Sequence, residues 1–157
     1  MTYLGNGNIP EIIYGINGAL NWKNLDFSFL FQGAARVQVY LQGGVIQPYF
    51  NQGNLPQFWV NESWTEQNIN AKYPRLTIER SANNATTSTY WERDGAFLKL
   101  KNAEIGYTFK SMRFYLRGSN LLTFSKFKLW DPEMGGGAGM KYPTQRTYNV
   151  GIQLTFK

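Results

Sequence analysis

The 157-residue sequence contains no cysteine and no histidine. Without cysteine the chain cannot form disulfides, thiolate zinc sites or a cysteine nucleophile, and without histidine it lacks the commonest general base and metal ligand. Its longest apolar stretches are triplets such as Phe29, Leu30 and Phe31, whereas a membrane-spanning helix needs roughly 18 apolar residues. The sequence therefore predicts no catalytic residue, no metal site and no cofactor, and it argues against an enzyme.

Charged residues are few, and their balance is basic. Sixteen lysines and arginines against ten acidic residues give a net charge of +6, which by itself favours an anionic partner such as nucleic acid, lipid headgroups or polysaccharide. The basic residues are spread along the chain and form no stripe with stacking aromatics. Nucleic acid is therefore not an expected partner.

Apolar and polar residues alternate over long stretches. The clearest runs from Leu25 to Gln42 and predicts a single strand, far longer than the ~5–6 residues usual in soluble sheets. A second alternating segment ends just before Lys23 and Asn24, which predicts a tight hairpin. The remaining alternating segments are 96–109, 113–124 and 147–156. A change of phase in the first of these predicts a bulge near Lys101 and Asn102.

The connections between the five predicted strands alternate between short and long. Turns at Lys23–Asn24 and Lys110–Met112 are minimal, whereas the linkers at about 43–95 and 125–145 are long. Outer-membrane barrels have this asymmetry, with short periplasmic turns and long extracellular loops. A soluble β-sandwich also alternates, with its apolar face turned inward. Five strands cannot close a membrane barrel, which takes ~8 or more, so the chain is expected to be a fragment of a longer protein.

Short motifs in a fixed order carry a resemblance to a known family. From about Pro10 onward they are Tyr14-Gly15, Leu25–Ser28, Phe31–Gly33, Tyr73–Arg75, Asp94–Asn102, Ile105–Thr108, Ser119–Phe124, Asp131–Glu133, Tyr142–Arg146 and Gly151–Phe156. In order and spacing, they resemble the C-terminal barrel segment of SusC/RagA-type TonB-dependent outer-membrane transporters. The resemblance covers nearly the whole chain.

The resemblance implies an all-β chain, an antiparallel meander of about five long strands from the C-terminal part of a 22-stranded transmembrane β-barrel. Residues 1–157 would be that segment, and the plug and the N-terminal strands would be absent. The protein would lie in a Gram-negative, Bacteroidetes-like outer membrane, in contact with its lipid. It would import oligosaccharides or peptides with a SusD-like surface lipoprotein, and absent N-terminal segments would contact the TonB complex.

The last strand also resembles the signal by which the barrel assembly machinery recognises outer-membrane proteins. Its residues are Tyr148, Val150, Ile152, Leu154 and Phe156. The same residues could simply form the lipid face of a strand. The chain departs from the usual pattern because Lys157 follows the final aromatic residue.

Aromatic residues in the long linkers are expected to contact a ligand or a partner. The candidates are Trp64, Tyr73, Arg75, Trp91 and Trp130, because aromatic rings beside asparagines suit sugars and an arginine suits an acidic group. The alternative, which is favoured, is that the aromatics pack the loop into an ordered cap or contact the lipoprotein. Ser63 to Glu66 fits a capping box, which predicts a short helix starting there.

Three further patterns have two interpretations each. Asp131 and Glu133 flank a proline and either order their loop or form a carboxylate pair for glycoside chemistry, the former being favoured. The run Gly135–Gly139 lacks the Lys-Ser/Thr of a P-loop and predicts a flexible loop tip. Three arginines predicted to face inward would place positive charge in a barrel lumen or pair with acidic plug residues. They are Arg36, Arg113 and Arg117.

An alternative function stays open at this point. The chain could be a soluble β-sandwich module that binds glycans and uses Trp64, Trp91 and Trp130 as platforms. The two hypotheses differ in which face of the sheet meets water.

Overall fold

A computed structural model describes residues 7–49, 53–78 and 81–156. Its elements are strands and a few short helices, and their bounds are as follows. The strands are β1 Ile12–Trp22, β2 Leu25–Ala35, β3 Gln38–Tyr40, β4 Glu92–Asp94, β5 Phe97–Phe109, β6 Met112–Ser125 and β7 Thr147–Leu154. The helices are α1 Gln57–Glu62 and 3₁₀ turns at Gly43–Val45, Thr89–Trp91 and Pro132–Met134.

Five strands form one antiparallel sheet in the order β1-β2-β5-β6-β7. Strands β3 and β4 form a separate two-stranded sheet, inserted between β2 and β5. The larger sheet is therefore a meander, as the alternation predicts, and within the described residues it is open at β1 and β7. All the short turns lie at one end of this sheet, and both long connections leave from the other.

Both predicted hairpin turns are confirmed. Lys23 and Lys110 each occupy the first turn position with a left-handed backbone, at φ 55° and 54°. A non-glycine residue adopts this conformation at some cost, and two-residue hairpins favour it because it matches the twist of the flanking strands. In each hairpin only two residues separate the last paired positions, which are Trp22 and Leu25 in one and Phe109 and Met112 in the other.

The predicted bulge is present in β5. The pairing of β5 with β6 jumps between Leu100 and Asn102, so Lys101 lies at the irregularity. On β6 the same irregularity contains Asn120, which has a left-handed φ of 54°, a conformation that asparagine tolerates better than most residues. Because of the bulge, the apolar residues of β5 stay on one face although they stand at even positions before it (Leu98, Leu100) and at odd positions after it (Ala103, Ile105).

The predicted strand from Leu25 to Gln42 is wrong in extent, because β2 ends at Ala35. Arg36 adopts a left-handed φ of 53°, and this reverses the chain away from the large sheet. The alternation continues in β3, but Val39 now pairs with Arg93 in the small sheet. Val37, Val39 and Leu41 are buried. The apolar residues after Arg36 therefore pack among the long connections and not on the face of the large sheet.

One face of the large sheet is apolar from edge to edge and exposed. Directly paired residues share a face, and the register aligns Gly18 with Phe29, Ile105 with Leu116, and Leu116 with Val150. The exposed fraction is 65% for Trp22 and 84% for Val150. Other exposed apolar residues on this face are Ile12, Tyr14, Ile16, Leu20, Leu25, Phe27, Tyr107, Phe109, Met112, Phe114, Leu122, Phe124, Tyr148, Ile152 and Leu154.

The opposite face of the sheet carries a charged cluster near the short turns. Arg113 of β6 forms ion pairs with Asp26 of β2 and Glu104 of β5, and its guanidinium lies 5.4 Å from the centroid of the Tyr115 ring. Adjacent strands therefore supply two carboxylates to Arg113, so its charge is balanced within the chain.

The other two arginines have different environments. Arg36 pairs with Glu11 at 2.8 Å, and both side chains are largely exposed. Arg117 is exposed and forms no ion pair with any residue that the structure describes.

The described residues of the two long connections, 36–96 and 126–146, form a cap with its own hydrophobic core. The core residues are Val39, Leu41, Val45, Ile46, Trp59, Tyr73, Trp91 and Phe127. The capping-box prediction was wrong: α1 ends at Glu62, and Ser63 caps its C-terminus instead of starting a helix. Trp59 on α1 is buried and donates its indole N–H to the Val45 carbonyl at 2.9 Å, which satisfies the polar atom of a core side chain.

Candidate functional site in the cap

Two of the aromatic residues predicted to contact a ligand are buried in the cap core. Tyr73 is 2% exposed and Trp91 is 1% exposed. The Tyr73 ring lies 5.1 Å from that of Trp59 and 6.3 Å from that of Trp91, and the Trp91 indole donates to the Asn84 carbonyl at 2.8 Å. Their rings offer a ligand almost no surface, so for these two residues the structure agrees with the favoured interpretation, packing within the cap.

Trp64 and Arg75 line one cavity of about 370 Å³. Ser63 and Tyr73 form a parallel bridge, and the Trp64 amide donates to the Tyr73 carbonyl at 2.9 Å. These bonds place segment 63–66 beside segment 73–76, which brings together side chains that are distant in sequence. Trp64 is 38% exposed, and the other lining residues are Ser63, Thr65, Glu66 and Leu76. The cavity thus combines an accessible indole, a cation and a carboxylate.

Trp130 lies elsewhere in the cap and does not line that cavity. Its ring meets Phe127 edge-on at 4.8 Å between centroids, and its indole N–H donates to the Gly135 carbonyl at 2.9 Å. Half-buried and hydrogen-bonded, Trp130 anchors the second long connection.

The glycine run is not a free loop tip. The Gly137 amide donates to the Tyr40 carbonyl, and the Gln42 amide donates to the Gly137 carbonyl, so Gly137 bridges to Leu41 in parallel fashion. Gly135, Gly137 and Gly139 have φ of 69°, 120° and 69°, a region where glycine is favoured. The expectation of a flexible tip is corrected, because this run docks on the end of β3.

A buried lysine ties the second long connection to the polar face of the sheet. Lys99 of β5 is 0% exposed, and its ammonium lies 2.6 Å from Asp131 and 2.7 Å from Glu133. Glu133 also meets Lys101 at 2.6 Å. The Asp131 carboxylate additionally accepts the Glu133 amide at 3.0 Å, which caps the 3₁₀ turn. The predicted loop-ordering role of the two carboxylates is confirmed.

Lys99 and Lys101 lower the pKa values of these two carboxyl groups. Partial burial alone would raise the pKa of both, but hydrogen bonds from Lys99 to Asp131, and from Lys101 and Lys99 to Glu133, lower each pKa below its ordinary value. A lowered folded-state pKa means that the carboxylates stabilise docking above the ordinary carboxyl pKa. That contribution is lost as the pH falls through the lowered values.

Within residues 7–49, 53–78 and 81–156, no group of three or more potential metal ligands occurs. In the same part of the chain, no helix has the length and apolarity needed to cross a membrane.

Comparisons with known proteins find relatives along nearly the whole chain, although no protein-family model matches it. TonB-dependent receptor P26 of Formosa agariphila is 33% identical over 172 aligned residues, which cover 94% of this chain and 17% of the relative. TonB-dependent receptor SusC of Bacteroides thetaiotaomicron is 25% identical, covering 93% of this chain and 15% of SusC. The chain therefore spans about a sixth of the length of these curated relatives.

Solved structures give the same result. The RagAB peptide importer in its open-open state superposes with a TM-score of 0.72 at 26% identity, over 94% of this chain and 17% of that one. The closed-closed state gives a TM-score of 0.72 over 95% of this chain. The open five-stranded sheet described above matches the barrel portion of these transporters, and the proteins named in these comparisons are receptors and a transporter.

Proposed function

Because this chain is a homologue of the SusC/RagA-type TonB-dependent receptors over most of its length, we propose that it forms part of an outer-membrane nutrient importer. Residues 1–157 supply strands and extracellular loops of the C-terminal barrel segment, and the plug and the preceding strands come from the rest of the protein. The role is uptake of a ligand, with no chemistry performed on it.

The observation that carries this proposal is the exposed apolar face of the large sheet. A soluble β-sandwich turns such a face inward onto a second sheet. Here the core lies in the cap, and the apolar face, with Val150 84% exposed, has no covering layer among the described residues. Strands β1, β2, β5 and β6 have 11 to 14 residues, and a tilted strand crosses a bilayer with roughly 9–11. Contact with lipid accounts for both the exposed apolar face and the length of the strands.

The orientation and the partners follow from the same proposal. Short turns at Lys23 and Lys110 face the periplasm, and the cap faces the outside, as in other outer-membrane barrels. A SusD-like lipoprotein covers the cap, the TonB complex acts through the absent N-terminal segments, and the barrel assembly machinery reads the last strand. The similarity to SusC and RagAB supports the lipoprotein and the TonB complex as partners.

For the ligand, we propose an oligosaccharide or a peptide contacted by Trp64 and Arg75. The indole offers an apolar ring face to a sugar ring or a peptide side chain, and the guanidinium offers a planar fork of donors to an acidic group. Both side chains line one cavity, which Glu66 also lines. Trp130 stays a weaker proposal because its indole N–H is already engaged.

Replacement of Trp64 by alanine in the intact protein is expected to weaken ligand binding by about tenfold or more, because a buried aromatic anchor contributes that much at a typical interface. Arg75→Gln should reduce binding of acidic ligands most. The measurement is uptake of a fluorescent peptide pool and a fluorescent oligosaccharide pool by cells that express the full-length protein. Trp22→Ala, at the opposite end of the sheet, is the matched control and should leave uptake unchanged.

Three results would contradict the proposal. If the wild-type protein takes up neither pool, the proposed import of oligosaccharides or peptides is wrong. If uptake continues without an energised TonB complex, the proposed dependence on TonB is wrong. If Trp64→Ala and Trp22→Ala behave alike while wild-type uptake is normal, the ligand site lies elsewhere.

A further inference from the structure

A second cavity in the cap is lined mainly by cations. It has a volume of about 240 Å³ and opens between the segments that contain Tyr73, Asp94 and Phe127. Four basic side chains line it with a single carboxylate, that of Asp94. The basic residues are Lys72, Arg93, Lys126 and Lys128. None of the residues lining the Trp64 cavity belongs to this second one, so the two cavities are separate.

The positive charge in this cavity is incompletely neutralised. Arg93 and Lys128 form no ion pair with a carboxylate in the part of the chain that the structure describes. Lys126 lies 3.9 Å from Asp94, and their side chains are 88% and 50% exposed, a geometry in which the attraction is weak. Lys72 pairs with Glu62 at 3.3 Å, also at the surface. The cavity therefore concentrates cations whose partners are distant, solvated or missing.

Arg93 is held in place without a counter-ion. One terminal nitrogen of its guanidinium donates to the Tyr90 carbonyl at 2.7 Å and to the Glu92 carbonyl at 2.8 Å. The Tyr90 hydroxyl in turn donates to the Lys72 carbonyl, which joins the chain segments of two of the cations. Five N–H donors belong to a guanidinium, so the remaining ones can serve a ligand. A cation oriented in advance loses less conformational entropy when it binds an anion.

The apolar residues of the cavity strengthen this site. Phe127 and Tyr73 belong to the buried core and are 5% and 2% exposed, and Leu129 lies beside them. This packed floor fixes the chain segments that carry Lys72, Lys126 and Lys128.

We propose that this cavity binds an oxyanion group, a sulfate, phosphate or carboxylate, on a small soluble ligand that enters the cap. Arg93 and Lys128 are its main contacts, and Lys72 and Lys126 add to the local potential. The inference concerns binding alone. It can hold or fail whether or not the intact protein performs the import proposed above.

The test is binding of matched ligands to the intact protein in detergent at low salt, measured by calorimetry. The probes are a sulfated disaccharide, the same disaccharide without sulfate, and inorganic phosphate. The sulfated probe should bind, the unsulfated one should bind at least about tenfold more weakly, and phosphate should compete. Affinity should fall as salt rises from 50 to 300 mM, because exposed cations are screened.

Substitutions of lysine test whether the sulfated probe binds in this cavity. Lys128→Gln should weaken binding of the sulfated probe by about three- to tenfold, and Lys128→Arg should restore it. Lys128 forms no ion pair among the described residues, so its replacement is expected to leave the fold intact. Lys110→Gln removes the same charge at the far end of the sheet and should change nothing.

The inference is overturned if the two disaccharides bind equally or if Lys128→Gln matches Lys110→Gln. It is also overturned if inorganic phosphate binds but the sulfated disaccharide does not, because the site then accepts a free ion and not the group on a ligand.

Discussion

Val150→Arg is expected to destabilise the inserted protein by about 2–4 kcal/mol, the usual cost of an arginine on the lipid face near the bilayer midplane. Val150 lies in the middle of β7, 84% exposed and paired with Leu116. In the proposed orientation this face meets hydrocarbon, where a charge loses its hydration. Asn149 is the matched control, because the next residue of a strand points to the opposite face. Asn149→Arg is expected to cost less than about 1 kcal/mol.

The measurement is the urea midpoint of the intact protein folded into lipid vesicles, together with the amount of each variant found in the outer membrane. Val150→Arg should lower both, and Asn149→Arg should lower neither. Equal effects of the two substitutions would show that the faces do not differ in environment. A larger effect of Asn149→Arg would mean that the polar face is the buried one.

Neutralising both partners of Lys99 is expected to release the second long connection from the sheet. The double variant Asp131→Asn with Glu133→Gln leaves a fully buried ammonium facing no carboxylate at its present distances. An orphaned buried charge costs about 3–5 kcal/mol, and undocking of residues 126–146 would rehydrate it. Limited trypsin digestion of the intact protein should therefore cut after Lys126, Lys128 or Lys141 in the variant and spare them in the wild type. Acid should also undock the connection, because protonation removes the same two charges; pepsin replaces trypsin in that test, since trypsin is inactive in acid.

Two controls separate charge from packing in that experiment. Adding Lys99→Met to the double variant removes the orphaned ammonium, so protection should largely return, as replacement of whole buried ion pairs by apolar residues is often tolerated. Glu11→Gln breaks the exposed pair with Arg36 and should cost less than about 1 kcal/mol. If the double variant is as protected as the Glu11→Gln variant, the lysine cluster does not dock the loop.

The large sheet could be predicted because its physical causes are local. Alternation with period two marks each strand, the two-residue turns at Lys23 and Lys110 set the register of the hairpins, and a phase change marks the bulge at Lys101. None of these features depends on distant residues. The end of β2 at Ala35 could not be predicted, since the left-handed Arg36 interrupts an unbroken alternation. That turn leads into the small sheet, whose second strand lies more than fifty residues later in the sequence.

The cap was predicted less well because its contacts are long-range. Exposed and buried aromatic residues look alike in a sequence, so Trp64 and Trp91 received the same role although only Trp64 is accessible. Lys99 stands on the polar face of β5, where a lysine is ordinarily solvated, and nothing nearby indicated its burial. One signal was available: the spacing of Lys99 and Lys101 equals that of Asp131 and Glu133, which suits a pairing of two basic with two acidic residues.

Spin labelling along one strand shows whether the apolar face of the sheet meets lipid and the opposite face meets water. This chain has no cysteine, so single cysteines at consecutive positions 27, 28, 29 and 30 of β2 can carry a nitroxide in the intact protein reconstituted in lipid. Collision with oxygen reports lipid exposure, and collision with a water-soluble nickel chelate reports aqueous exposure. Labels at 27 and 29 should collide preferentially with oxygen, and labels at 28 and 30 should collide relatively more with the chelate. If labels at 27 and 29 are shielded from both reagents, as in a soluble sandwich core, this face does not meet lipid.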